Sequence, residues 1–146
     1  DAMLDIIQRE GLWALEGGPR LLGYDWPPFV GSDGALARVA TYWTFVDVPP
    51  QEQGAEHNIL LALADQAGNL QQVLGAPFGL EARYWENGQL LTVWNELDVT
   101  GASGSYTLVA GIYRPEDGTY NRHIDAGEVV GPVATLGRLE LVGSSP

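Results

Sequence analysis

The sequence predicts an all-β fold, an immunoglobulin-like, Greek-key β-sandwich of about eight short strands. Three observations carry that expectation. Apolar side chains recur at every second position in stretch after stretch, the period at which a strand turns one face to a core. Turn-forming clusters such as Ser32-Asp33-Gly34, Gln66-Ala67-Gly68-Asn69 and Asn87-Gly88 separate those stretches. The run from Gly101 to Gly118 joins a small-residue corner to Tyr106, with Leu108, Ala110 and Ile112 on the same face, before Pro115-Glu116-Asp117-Gly118 turns the chain. A tyrosine placed in that way commonly opens a central strand of a Greek-key sandwich. A jelly roll or a lipocalin-like barrel is the alternative, the latter suggested by Gly11-Leu12-Trp13 near the start.

Residues 1–19 read as a linker or short helix, ended by Gly17-Gly18-Pro19, and residues 20–146 as the sandwich domain. Leu21 to Trp26 is the first predicted strand, stopped by Pro27-Pro28. Leu36 to Val48 is the longest. Val39, Thr41, Trp43 and Phe45 share one of its faces and Arg38, Ala40, Tyr42 and Thr44 the other, which makes Trp43 the expected central core aromatic. Gln51 to Glu56 reads as a polar loop. His57 to Asp65 alternates through Ile59, Leu61 and Leu63, and the turn at Gln66–Asn69 leads into Leu70 to Leu74. Residues 75–89 read as loop with limited β structure. Leu91, Val93, Leu97 and Val99 form the next inward face, opposite Thr92, Trp94, Glu96 and Asp98. After the Tyr106 strand come Thr119 to Ile124 and Val133 to Val142; in the last, Ala134, Leu136 and Arg138 alternate with Thr135, Gly137 and Leu139. Gly143 to Pro146 reads as a frayed end.

Composition removes much chemistry. The 146 residues include no cysteine, which excludes disulfides, thiolate nucleophiles and Cys-ligated metals. All seven basic residues are arginine, so no lysine can serve as Schiff base, phosphate ligand or general base. Two histidines, at positions 57 and 123, cannot make a three-histidine metal site or a His-x-x-x-His zinc helix. No calcium loop is present, although Asp117, Asp125 and Glu128 lie near one another in sequence. No cofactor or metal is expected. A net charge of −12 opposes phosphate backbones and anionic lipid, so nucleic acid is not an expected partner. The longest apolar run, Ile59 to Ala64, is far shorter than the ~20 residues of a membrane helix, so this segment is not expected to insert directly.

Five tryptophans and six tyrosines in so acidic a chain suggest stacking on sugar rings. Trp94, outward on its strand, is the principal candidate, with Tyr84 and Trp85 nearby in sequence to extend the platform. Partial cover by a neighbouring segment is the structural counter-reading. His57 and His123 read as surface residues at strand ends. Ser103 fails the Gly-x-Ser-x-Gly pattern by one residue, and no two of the nineteen acids are marked as a glycosidase pair. No catalytic residue is assigned.

From residue 20 onward the order of signals resembles a soluble β-sandwich domain attached to bacterial membrane-embedded glycosyltransferases of the protein-mannosyltransferase type. The matching pieces are Leu21-Leu22-Gly23-Tyr24, Thr41-Tyr42-Trp43, Ile59 to Asp65 with Gly68, Trp85-Glu86-Asn87-Gly88, and Gly104 to Tyr113. They cover about residues 20–142 and include no catalytic motif. The resemblance implies a domain facing outside the cytoplasm, periplasmic or at the cell surface, tethered through a parent membrane protein whose membrane part holds the chemistry. The expected function is a non-catalytic accessory or interaction domain, with a glycan or its parent's membrane part as partner. A carbohydrate-binding module and a carboxylate-dependent glycosidase are the alternatives.

Overall fold

The computed structural model of the protein describes residues 9–25, 29–31, 36–99 and 104–142, with side chains described in 13–25, 36–99 and 104–139. The expected turn at Ser32-Asp33-Gly34, Trp26 with Pro27-Pro28, the corner at Gly101–Ser103 and the end at Gly143–Pro146 lie outside the described residues.

Two sheets face each other across one core. The first has the order β11 (Glu128–Gly131), β10 (His123–Asp125), β1 (Arg9–Leu15), β2 (Pro19–Asp25), β4 (Leu36–Phe45), β7 (Leu91–Asp98). The second runs β3 (Phe29–Gly31), β12 (Ala134–Val142), β8 (Gly104–Tyr113), β5 (Asn58–Ala64), β6 (Leu70–Pro77), with β9 (Tyr120–Asn121) added beside β8. The pairings are antiparallel except between β12 and β3. Two separate sheets, each with its own edges, make a sandwich rather than a closed barrel.

Strand alternation builds the core as expected. Val39, Trp43 and Phe45 from β4, Val93 and Leu97 from β7, Ile59, Leu61 and Leu63 from β5, and Leu108, Ala110 and Ile112 from β8 join one buried cluster. Trp43 is fully buried, and Phe78 meets its ring edge-on at 5.2 Å between centroids. Its indole N–H donates to the Thr41 hydroxyl at 2.8 Å, and that hydroxyl donates to the Val93 carbonyl at 3.4 Å. The one polar atom of the ring is therefore satisfied inside the core.

The structure departs from expectation in four places. Residues 9–15 are not linker or helix: they form β1, whose Trp13 and Ala14 pair with Leu21 and Arg20 of β2. The stretch is too short in apolar residues to show a strand period, and its neighbours in the sheet decide its state. The polar loop contains a helical turn, α1 (Pro50–Gln53), with proline at its start and Gly54 at its end. Strand β6 runs on to Pro77, and its last residue tolerates proline because it lies on a sheet edge. In β12 the register shifts between Thr135 and Arg138, which places Ala134 and Leu139, five apart, both in the interior. Strict alternation puts them on opposite faces; one inserted residue restores them to the same one.

Candidate functional site

Strand β7 is an edge of the first sheet, and β6 is an edge of the second. The two edges lie on the same side of the sandwich, where the Gln72 side-chain amide donates to the Asp98 carbonyl at 2.9 Å. Pairing of β4 with β7 sets Trp94 opposite Ala40, Glu96 opposite Arg38, and Asn95 opposite the buried Val39. Trp94 and Glu96 therefore stand on the outer face while Asn95 turns toward the interior. A groove of about 510 Å³ wraps this edge, lined by Arg38, Leu74, Trp94, Asn95 and Glu96.

Trp94 is 58% exposed, the largest aromatic surface left open among the described residues. Beside it, the Asn95 side-chain carbonyl is shielded from solvent and has no hydrogen-bond partner. Buried polar atoms are nearly always paired, so an idle acceptor in a groove wall is a place where a ligand donor or a water belongs. The groove thus offers an aromatic plane, a guanidinium and a carboxylate, with the amide carbonyl shielded behind them. That set binds hydroxyl groups, which both donate and accept.

The other two predicted platform residues do not join Trp94. Trp85 is only 3% exposed: its ring stacks on Phe45 at 4.7 Å, and its N–H donates to the Leu80 carbonyl at 3.0 Å. It is a core residue. The expectation failed because a tryptophan in a loop reads as open, whereas the 3₁₀ turn at Ala82–Tyr84 folds this one inward. Tyr84 is 52% exposed with the Arg83 guanidinium over its ring at 4.8 Å, but it does not line the Trp94 groove.

A second polar constellation lies at one end of the sandwich and was not foreseen. Glu52 of α1 is buried, and three side chains converge on its carboxylate, His57 from five residues on and Arg114 and Asn121 from distant segments. The Arg114 guanidinium donates to Oε1 at 2.6 Å, while His57 Nε2 and the Asn121 amide reach Oε2 at 2.6 and 3.1 Å. Burial alone would push this carboxyl up; hydrogen bonds from Asn121, His57 and Arg114, with the Arg114 charge, outweigh it and hold the group below its ordinary value. Asn121 also donates to the Glu16 carbonyl at 2.8 Å, where the chain passes from the second sheet to the first. Gly17 must be glycine here: its φ is +86°, and a Cβ would stand 2.6 Å from Glu52 Cδ. His57, read from sequence as a surface residue, is 7% exposed, whereas His123 is half-buried on β10. The one available signal was the Pro50–Gly54 frame of a short helical turn, which implies that Glu52 faces something definite.

This cluster is built for structure rather than hydrolysis. Glu52 and Glu16 line the same cleft, yet both are held as carboxylates. Hydrogen bonds from the Arg122 side chain, 2.8 and 2.9 Å to the two oxygens, lower Glu16 despite the opposing effect of burial. A glycosidase acid needs the opposite shift. Among the described residues no group of three His, Asp or Glu side chains could hold a metal ion, and no helix is long and apolar enough to cross a membrane. Ser103 lies outside the described residues.

No protein-family model matches the chain, and no curated protein matches it significantly in sequence. The structure does find a neighbour. The fold is similar to that of the C-terminal domain of Wzt. The match covers 97% of this chain and 90% of that crystal structure, with a TM-score of 0.58 and 17% identity. At that identity the likeness speaks for the β-sandwich fold. The sequence resemblance pointed to domains of membrane glycosyltransferases, whereas the structural neighbour is a domain of Wzt.

Proposed function

We infer that this is a non-catalytic glycan-recognition domain of a larger protein, and that Trp94 is its stacking surface. The carrying observation is the exposed indole in one groove with Arg38 and Glu96. The negatively polarised face of an indole attracts the slightly positive C–H groups on one side of a pyranose ring. Arg38 and Glu96, on the same outer face, then reach the hydroxyls at the rim of that ring. The net charge of −12 favours an uncharged glycan over a polyanionic one. With Glu16 and Glu52 both held as carboxylates, neither is poised as the protonated acid of glycoside hydrolysis.

That the structural neighbour is one domain of a longer protein supports an accessory role here. The sequence resemblance supports a position outside the cytoplasm, tethered through a membrane protein, which is part of this proposal. The test is binding to an array of neutral polysaccharides, followed by calorimetry on the best ligand. Trp94→Ala is expected to weaken binding about thirtyfold, the factor that ~2 kcal/mol from an aromatic anchor represents. Unchanged affinity in that variant, or no binding by the unaltered domain, refutes the reading.

A further inference from the structure

His57 has one committed ring nitrogen and one idle one. Because Glu52 is held as a carboxylate by Arg114 and Asn121, the short contact to His57 Nε2 is a donated N–H. In the neutral ring that tautomer leaves Nδ1 with a bare lone pair, and Nδ1 is buried with no partner. The ring cannot readily turn to escape, since it packs against Trp85 at 4.8 Å and its side chain is 1% exposed. An idle acceptor so firmly positioned calls for a donor from outside the protein.

His57 also lines a cleft of about 710 Å³ between residues 53–58 and 77–83, within the roughly 300–1,000 Å³ of small-molecule sites. This cleft is separate from the Trp94 groove, with which it shares no lining residue. We propose that it is a second binding site, taking one uncharged hydroxylated ring such as a single sugar residue, a hydroxyl of which donates to Nδ1 of His57.

The lining selects that chemistry. Nδ1 as acceptor demands an O–H or N–H. An anion finds no uncommitted cation, because Arg83 is paired with Glu81 at 2.8 Å. An ammonium ion finds carboxylates only at the exposed Glu56 and at Glu81, which is paired with Arg83, and both oxygens of the buried Glu52 already accept from neighbours. Pro77 and Leu80 offer apolar surface for the C–H side of a ring, and the Gln53 amide can both donate to and accept from hydroxyls. Gly79, at φ +102°, has nothing within 4 Å of where a Cβ would stand, so no side chain narrows the cleft at that point of its wall.

The test reads His57 itself, by long-range ¹H–¹⁵N spectra of the ¹⁵N-labelled domain. The free protein is expected to show Nδ1 as a lone-pair nitrogen and Nε2 protonated. Methyl pyranosides of mannose, glucose and galactose are then titrated to about 100 mM, enough to fill a millimolar site. At least one is expected to move the Nδ1 resonance saturably, whereas acetate and ethylammonium do not. Gln53→Ala, at an exposed position, is expected to weaken that response several-fold with the fold intact. Trp94→Ala leaves it unchanged, so failure here and failure of the groove are told apart. A protonated Nδ1 in the free protein, silence toward all three pyranosides, or an equal response to the ions overturns the proposal.

Discussion

Replacing Glu52 by glutamine tests the buried constellation atom by atom. The side chain keeps its shape but loses its charge, and one of its two ends becomes a donor. Turned toward Arg114, that end meets a guanidinium at the 2.6 Å contact; turned the other way it meets the Asn121 amide and forces His57 to change tautomer. Either way one contact is lost and those that remain lose the carboxylate's charge, the Arg114 bond keeping a charged donor where it survives. With charge-assisted bonds worth ~1.5–3 kcal/mol and neutral ones ~0.5–1.5, and some return from no longer desolvating a charge, the net loss is about 3 kcal/mol. For a chain of this size that lowers Tm by roughly 6–12 °C. The effect must also depend on pH. Glu52 titrates lower in the folded than in the unfolded chain. Its stabilisation is therefore complete above the unfolded value of about 4.3 and is lost as pH falls through the folded value. Urea unfolding of both proteins is expected to show the largest gap at neutral pH and a shrinking one toward about pH 3. A gap under ~1 kcal/mol at neutral pH, or one indifferent to pH, refutes the reasoning.

Four further outcomes follow from the same structure. Trp43→Ala empties the centre of the core and is expected to cost about 3–5 kcal/mol in urea unfolding. Gly17→Ala forces a Cβ against Glu52 and Asn121 at a positive φ, and should cost about 1–3 kcal/mol by the same measurement. A double-mutant cycle of Gly17→Ala with Glu52→Gln should give a coupling energy above ~0.5 kcal/mol, since the two changes disturb one contact set. Trp94→Ala should leave stability within about 0.5 kcal/mol, as expected of an exposed side chain, so that a loss of glycan binding in it is a loss of contact rather than of fold.

The sandwich and its core were legible because alternation is a local property: the inward faces of β4, β5, β7 and β8 can be read two residues at a time, and Trp43 sits where β4 says it must. The short strands were not. Residues 29–31 and 128–131 become strands only because β12 and β10 lie beside them, and three or four residues carry no period of their own. The bulge in β12 escaped for a related reason, since it is set by pairing with β8 rather than by its own residues. At the candidate sites, Trp94 followed from the outward parity of its strand. The idle carbonyl of Asn95 did not, because whether an amide finds a partner depends on what stands across from it. The Glu52 constellation joins residues as much as 69 positions apart, and only the folded topology brings them together.

One consequence of the topology concerns the moment of folding. The last strand of the chain, β12, fills an interior position between β3 and β8 rather than an edge. As the polypeptide leaves the ribosome, β3 therefore waits until β12, more than a hundred residues further on, has been made, and one flank of β8 stays unfilled over the twenty or so residues between the two strands. Such late, long-distance closure makes for slow folding and a nascent chain prone to sticking to its neighbours.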